Sequence, residues 1–226
     1  MPAAIAIHVC ADVLATEPYC RWTALVASRD TVQTTEKLCR IAGIADQHLL
    51  IGGHATRAAL AARLHAAAHA LHDDGLLVLT FSGHTERGAG PIEATRWCLH
   101  DGPIGLAELA AQLARLPRTA RVVVIADTCY AAAIKHVALG PQPLLLIGGC
   151  QEEQTTLERA RSEIIVRLER LLCAGDALGG PGPSVRAIKA ALEDDTPDAE
   201  RPCVWTSSEP WWSAQVFELR SPEQRG

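Results

Sequence analysis

A histidine and a cysteine each close an apolar, β-branched stretch of this chain. The stretch 76–84 (LLVLTFSGH) ends in His84, and the stretch 121–130 (RVVVIADTCY) carries Cys129 near its end. Runs of this length and composition are typical of single buried strands. A thiol becomes a strong nucleophile as the thiolate, and an imidazole within reach can take its proton. His84 and Cys129 are therefore the candidate base and nucleophile.

The elements between the two stretches are expected to bring their ends together. A turn-rich segment is followed by an amphipathic helix that carries Leu106, Leu109, Leu113 and Leu116. A crossover of this kind predicts that the two strands are parallel. The carboxyl ends of parallel strands lie at one edge of the sheet, where open α/β folds bind their ligands. We therefore expect the imidazole and the thiol to be neighbours at that edge.

The rest of the chain also alternates between strands and helices. Further strands are predicted at 3–10, 47–51, 143–148, 203–206 and 215–219, and further helices at 31–41, at 54–72, from Ser162 to Gly175 and from Ser184 onward. Such alternation predicts an α/β fold with a mostly parallel sheet covered on both faces. No internal repeat divides the 226 residues, so we expect a single domain over 1–226.

The composition argues against several classes of protein. The net charge of −5 and a pI near 6.0, without a run of lysine or arginine, argue against a nucleic-acid partner. No apolar run approaches the about 20 residues of a membrane span, so no membrane partner is expected. The eight cysteines are scattered without a Cys-x-x-Cys pair, and the first residues lack the basic region of a signal peptide. This pattern is typical of a reduced, cytoplasmic protein.

The motifs around both residues resemble those of the caspase and metacaspase superfamily of cysteine proteases. Phe-Ser-Gly-His at 81–84 is similar to the Ser-Gly-His turn of that family, and Asp-Thr-Cys at 127–129 is similar to its Asp-x-Cys motif. The segments 97–109 and 144–151 resemble the elements that follow each catalytic residue there, so the resemblance covers roughly residues 3–220 in matching order. It implies that the fold is a caspase-like three-layer α/β/α sandwich. It also implies that the chain is a caspase-like peptidase domain with a His/Cys dyad.

The resemblance also implies roles for neighbouring residues. The backbone N–H groups of Thr85 and Cys129 would form the oxyanion hole. The family usually has glycine in place of Thr85, and threonine is unfavourable there only if the turn needs a positive φ. Asp127, Asp12 and Ser82 would line the S1 pocket, as acidic residues do in metacaspases, which cleave after arginine or lysine. A carboxylate pairs well with a planar guanidinium, so we expect arginine to be preferred at P1 and lysine tolerated.

Other conspicuous residues have a plainer interpretation. His65, His69 and His72 lie on the solvent face of the predicted helix at 54–72, and no carboxylate accompanies them. Because metal-binding histidines are usually held by a second layer of polar groups, we expect no metal site here and no cofactor. Tryptophans near the C-terminus are open to two interpretations, as walls of the substrate cleft or as part of the core: Trp205, Trp211 and Trp212.

The leading hypothesis is a cysteine endopeptidase that cleaves a protein or peptide substrate after arginine or lysine. The resemblance implies a role in a bacterial antiphage or cell-death system. The substrate would then be a partner protein encoded in the same operon as this chain. One alternative is a non-catalytic scaffold of the same fold that binds a peptide or partner protein. Another is an amidase or acyltransferase that uses the dyad on a small molecule. An α/β-hydrolase would need Gly-x-nucleophile-x-Gly, which residues 127–131 do not supply.

Overall fold

A six-stranded sheet lies at the centre of the molecule in a computed structural model that describes residues 3–137, 140–155, 162–177, 182–193 and 201–214. The strands in chain order are β1 (Ala4–Ala11), β2 (Asp46–Ile51), β3 (Leu76–Gly83), β4 (Thr85–Glu86), β5 (Arg96–Leu99), β6 (Gly102–Gly105), β7 (Arg121–Asp127), β8 (Leu144–Gly148) and β9 (Cys203–Thr206). The central sheet has the order β2-β1-β3-β7-β8-β9. All neighbours pair in parallel except β8 and β9, so the predicted mostly parallel sheet is confirmed.

Helices cover both faces of this sheet. They are α1 (Val26–Ile41), α2 (Arg57–Ala70), α3 (Leu106–Leu113), α4 (Glu163–Ala177) and α5 (Val185–Glu193). On one face α2 contacts α3, and on the other α4 contacts both α1 and α5. The architecture is therefore a three-layer α/β/α sandwich. No helix in the described part of the chain is both long enough and apolar enough to cross a membrane.

A small antiparallel sheet, β4-β5-β6, follows β3 directly. Trp97 of β5 stacks on Phe81 of β3 with ring centroids 4.3 Å apart and planes inclined by 5°. This contact fixes the small sheet against the end of β3, from which His84 emerges. The sequence predicted only a turn-rich segment before α3, because strands of two to four residues are too short to show a periodic pattern.

The two faces of the central sheet differ in polarity. Side chains of a strand alternate between the faces, so β1 directs Ile7 and Val9 into an apolar layer under α2 and α3. The alternate residue His8 points to the α1 face, where it is fully buried. There its Nδ1 lies 3.0 Å from Thr80 Oγ1 and 3.3 Å from Thr35 Oγ1, and its Nε2 lies 2.9 Å from Gln47 Oε1. We call His8, Thr35, Gln47 and Thr80 the His8 cluster.

Several predicted boundaries differ from those of the structure. Helix α1 begins at Val26 rather than at 31, because Leu25 before it makes no side-chain cap that the sequence would reveal. Helix α2 begins at Arg57, where Thr56 Oγ1 accepts a hydrogen bond from the Ala59 amide at 3.1 Å. The strand predicted at 215–219 lies outside the described residues.

Trp211 belongs to the core, whereas Trp205 and Trp212 are only partly buried. Trp211 is buried among the apolar residues under α4 and α5, and Trp212 packs against the same group. Trp205 of β9 packs against the apolar layer of the opposite face.

Candidate active site

The ends of β3 and β7 bring His84 and Cys129 to one edge of the sheet. These strands are parallel neighbours, and Ser82 stands opposite Asp127 in their register. His84 follows Ser82 by two residues, as Cys129 follows Asp127. Ser82 and Asp127 point to the α1 face, where they meet Ser28 and Thr31, and His84 and Cys129 follow them at the carboxyl edge. The shared edge follows from the parallel pairing of β3 and β7.

A threonine that the sequence analysis did not single out joins the two turns. Thr128 Oγ1 donates a hydrogen bond to the Gly83 carbonyl at 2.7 Å. The Thr85 hydroxyl forms a short hydrogen bond with the same Thr128 oxygen. The residues on both sides of His84 are thus tied to the residue before Cys129, which fixes the imidazole turn against the thiol turn.

A backbone carbonyl orients the imidazole of His84. The Nε2 atom lies 2.8 Å from the Thr23 carbonyl oxygen. Because a carbonyl only accepts hydrogen bonds, Nε2 carries the proton, and Nδ1 of the neutral ring keeps a free lone pair. The ring of Trp22 meets the imidazole edge to face, with centroids 5.0 Å apart. The segment before α1 therefore sets the tautomer that a general base needs.

Cys129 lies in a tight turn. The next residue, Tyr130, has left-handed backbone angles (φ 53°, ψ 28°) and starts a 3₁₀ turn at 131–136. Its amide donates to the Gln154 carbonyl at 2.8 Å, and the Cys150 thiol lies 3.4 Å from the Thr128 carbonyl oxygen. A non-glycine residue in this conformation persists only when its surroundings hold it, and such positions cluster at functional sites. The loop after β8 provides that support.

The accessibility of Cys129 separates it from most other thiols of the chain. Cys129 is half-buried. Burial raises the pKa of a group of cysteines to about 12: Cys10, Cys39, Cys98 and Cys150. Burial likewise raises the pKa of Cys203 to about 11. These five side chains are protonated and inert near neutral pH. Only Cys20 and Cys173 share with Cys129 an exposed or half-buried position.

The backbone at Thr85 suits an oxyanion donor. Within the described ranges the non-glycine residues with positive φ are Asp74 and Tyr130, so threonine is not strained here. The Cys98 amide donates to the His84 carbonyl at 2.9 Å. Because hydrogen-bonded and non-hydrogen-bonded pairs alternate along an antiparallel ladder, the N–H of Thr85 points away from β5.

Asp127 lies at the centre of a group of hydroxyl side chains. Thr31 Oγ1 donates to its Oδ2 at 2.9 Å, and Ser162 Oγ donates to its Oδ1 at 2.8 Å. Ser82 Oγ lies 3.4 Å from Oδ2 and 3.0 Å from Ser28 Oγ. We call Asp127, Ser28, Thr31, Ser82 and Ser162 the Asp127 cluster. Three of its members, Ser28, Thr31 and Ser162, were not predicted as site residues.

The carboxylate of Asp127 is held in an unfavourable electrostatic setting. Burial raises the pKa of Asp127, and this effect outweighs the hydrogen bonds from Ser162, Thr31 and Ser82, which lower it. The residue as a whole is half-buried, so part of its surface still reaches solvent. Among the described residues no cation pairs with it. A carboxylate that burial destabilises at the edge of a sheet is a candidate functional group.

Asp12 forms its ion pair outside this cluster, with Arg29 of α1. Its Oδ2 accepts a hydrogen bond from Arg29 Nε at 2.5 Å, and its Oδ1 is buried without a hydrogen-bond partner among the described residues. A Cβ atom added at Gly52 would lie 3.5 Å from that Oδ1, which places the carboxylate towards the β2 side of β1. No hydrogen bond of the described residues joins Asp12 to Asp127 or Ser82. The structure thus brings Ser82 and Asp127 together and pairs Asp12 with Arg29.

The described residues contain no group of three or more side chains able to hold a metal ion. The imidazoles of His65 and His69 meet edge to face on the exposed side of α2, with centroids 4.5 Å apart.

Comparison with known proteins adds information on the fold. No protein-family model matches the chain, and no curated protein matches it. Among solved structures, it is similar to protein GSU0716 from Geobacter sulfurreducens, a structural genomics target, with a TM-score of 0.82 and 22% sequence identity. The match covers 97% of this chain and 100% of the other. At this identity the likeness shows a shared fold, so the activity has to be argued from the site residues.

Proposed function

We propose that this protein is a caspase-like cysteine endopeptidase that uses His84 and Cys129 to cleave a protein or peptide after a basic residue. The observation that carries the proposal is the oriented imidazole. His84 donates its Nε2–H to the Thr23 carbonyl, and hydrogen bonds of Thr128 tie the turn of His84 to the turn of the half-buried Cys129. This arrangement matches the requirements of a nucleophile, a base and a group that orients the base.

The proposed reaction proceeds by acyl transfer. His84 Nδ1 takes the proton of the Cys129 thiol, and the thiolate attacks the carbonyl carbon of the scissile bond. The backbone N–H groups of Thr85 and Cys129 donate to the resulting oxyanion. The imidazolium, whose Nε2–H is held by the Thr23 carbonyl, then gives its proton to the leaving amine. Water hydrolyses the thioester with His84 as base and regenerates the thiol.

The basic P1 residue is supported by the charge of the Asp127 cluster. The only partners of the Asp127 carboxylate among the described residues are neutral hydroxyl groups, and burial raises its pKa. A cationic P1 side chain would supply the missing opposite charge, and its binding would stabilise the ionised carboxylate. A P1 aspartate or glutamate would place a second negative charge beside the first. We further propose that the natural substrate is a partner protein encoded nearby, as in antiphage or cell-death systems.

Peptide reporters with a basic P1 residue test the dyad. Cys129→Ala should abolish cleavage, because the attacking sulfur is gone. His84→Ala should lower kcat by about 10²–10⁴-fold, the usual contribution of general acid–base catalysis. Cys173→Ala is the matched control, since it removes another half-buried thiol and should leave the rate unchanged.

Labelling distinguishes a catalytic thiol from a merely accessible one. A peptidyl chloromethylketone with P1 lysine or arginine should modify Cys129 in the wild type. In His84→Ala, every cysteine should be modified more slowly than Cys129 is in the wild type. Cleavage that survives Cys129→Ala would refute the dyad. Binding of peptides without cleavage or labelling would favour the non-catalytic scaffold.

A further inference from the structure

The segment between β1 and α1 contacts the turn of His84 at two points. At one point, the Thr23 carbonyl accepts the Nε2–H of His84 at 2.8 Å. At the other, the Tyr19 hydroxyl donates to Glu86 Oε2 at 2.8 Å. Because Glu86 follows His84 by two residues and lies in β4, both contacts hold the same short stretch of chain. The two hydrogen bonds therefore fix the residues 19–23 against the residues 84–86.

Trp22 connects the two points of contact. Its ring meets the ring of Tyr19 edge to face with centroids 5.2 Å apart, and it meets the imidazole of His84 at 5.0 Å. The Trp22 amide donates to the Tyr19 carbonyl at 2.9 Å and ends a 3₁₀ turn, Tyr19–Arg21. Side chain and backbone thus join Tyr19 to the residue before Thr23. A displacement of Tyr19 is therefore transmitted to the Thr23 carbonyl.

The hydrogen bond between Tyr19 and Glu86 has the features of a strong contact. The side chain of Tyr19 is buried against the apolar layer under α2 and α3. Burial and the hydrogen bond to Glu86 raise the pKa of Tyr19, so the hydroxyl keeps its proton and donates it. Hydrogen bonds to an ionised acceptor are stronger than those between neutral groups. The half-buried Glu86 also lies 3.8 Å from Arg96 Nε, an exposed ion pair of the kind that contributes little.

We propose that Tyr19 is a positioning residue that holds the Thr23 carbonyl on His84 through its hydrogen bond to Glu86. This inference rests on the proposed function of His84 as the general base. Tyr19 acts through Thr23 and takes no part in making or breaking bonds. Loss of its hydroxyl therefore leaves the thiol and the imidazole in place but lets the imidazole turn away from the orientation that proton transfer needs.

Proton exchange at His84 tests the contact without any substrate. The Nε2 proton exchanges with water only when the segment 19–23 moves away from the imidazole. In Tyr19→Phe this exchange should be about tenfold faster than in the wild type, the effect of one lost hydrogen bond to a charged group. Nitrogen-15 NMR of histidine-labelled protein measures the rate at a pH where the ring is neutral. The resonance of His84 is identified by its loss in His84→Ala.

Steady-state kinetics measure the same contact through the reaction. With reporters that have a basic P1 residue, Tyr19→Phe should lower kcat by about tenfold and leave KM unchanged, because the hydroxyl does not bind substrate. Glu86→Gln keeps an acceptor oxygen for Tyr19 and should retain most of the wild-type kcat. Tyr19→Phe combined with Glu86→Ala should lose no more than Tyr19→Phe alone, since both changes remove one contact.

Two controls separate positioning from general destabilisation. Arg96→Ala removes the other partner of the Glu86 carboxylate and should leave both kcat and the exchange rate unchanged. Thr35→Val removes a buried hydroxyl that donates to the Val32 carbonyl at 3.0 Å, within the His8 cluster. It should lower stability without changing kcat or the exchange at His84. Losses in Thr35→Val equal to those in Tyr19→Phe would overturn the inference.

The two measurements keep the inference separate from the proposed activity. Faster exchange in Tyr19→Phe, without cleavage of any reporter by the wild type, would refute the endopeptidase and support the role of Tyr19 in holding His84. Cleavage by the wild type with an unchanged exchange rate in Tyr19→Phe would support the endopeptidase and refute that role. A lower kcat in Tyr19→Phe with unchanged exchange would likewise refute it, because the loss would not pass through the contact of Thr23 with His84.

Discussion

Two groups of polar side chains, the His8 cluster and the Asp127 cluster, are buried under helix α1 and differ in how their polar atoms are satisfied. The His8 cluster is deep in the sheet, and the Asp127 cluster is at its carboxyl edge. Both contain hydroxyl side chains of α1, Thr35 in the first and Ser28 with Thr31 in the second. A fully buried imidazole is the centre of one, and a half-buried carboxylate is the centre of the other.

The His8 cluster is complete in itself. Both ring nitrogens of His8 have partners, and burial lowers the pKa of the ring, so it is neutral. A neutral, satisfied network in a low-dielectric interior contributes to stability and needs no ligand. The Asp127 cluster instead surrounds an acidic group with hydroxyl partners alone among the described residues, and burial raises the pKa of that group. The difference shows which of two similar networks is structural and which is a candidate binding site.

Removal of the charge should have the largest effect. Asp127→Ala should lower kcat/KM for reporters with a basic P1 residue by about a hundredfold or more, because a buried charge pair loses one partner. Reporters with a neutral P1 residue should lose little. Steady-state kinetics on both reporter types measure the contrast. An equal loss for both types would mean that Asp127 acts on the dyad rather than on P1.

Disruption of the deep network should affect stability and not specificity. His8→Ala leaves a cavity and unpaired groups on Thr80 and Gln47, so the free energy of unfolding should fall by about 2–3 kcal/mol. Urea unfolding measures this, with the exposed His65→Ala on α2 as control. The kcat/KM of the folded variant for reporters with a basic P1 residue should equal that of the wild type. A changed kcat/KM would show that the two clusters are coupled through α1.

The smallest effect concerns the dependence of stability on pH. Since burial raises the pKa of Asp127 above that of the unfolded chain, the folded protein binds the proton more tightly. The wild type should therefore gain stability relative to Asp127→Asn as the pH falls from the pKa of Asp127 in the folded protein to its pKa in the unfolded chain. This gain should be lost as the pH rises again. Denaturant midpoints of both proteins between pH 4 and pH 7 measure the difference. If acidification lowers the stability of the wild type relative to Asp127→Asn, then folding stabilises the ionised carboxylate.

The sequence by itself determined the α/β fold class and the sheet edge at which His84 and Cys129 lie. Buried strands such as 76–84 and 121–127 have a local signature, an apolar and β-branched run of suitable length. Once the strands are parallel neighbours, their carboxyl ends meet, and the residues that follow them lie together. Asp127 and Ser82 were assigned to one pocket from the family resemblance, and the structure brings them together as register partners at the ends of β7 and β3.

Only the tertiary structure decided which groups surround those residues. Thr31 and Asp127 are 96 positions apart, His84 and Thr23 are 61 apart, and Ser162 lies 35 positions after Asp127. A hydroxyl side chain or a backbone carbonyl carries no local mark of the partner it will meet, since it suits a cap, a turn or solvent equally well. The pairing of Asp12 with Arg29 was hidden for the same reason. Packing of α1 and α4 on the sheet selects these contacts. They set the tautomer of His84 and the hydroxyl partners of Asp127.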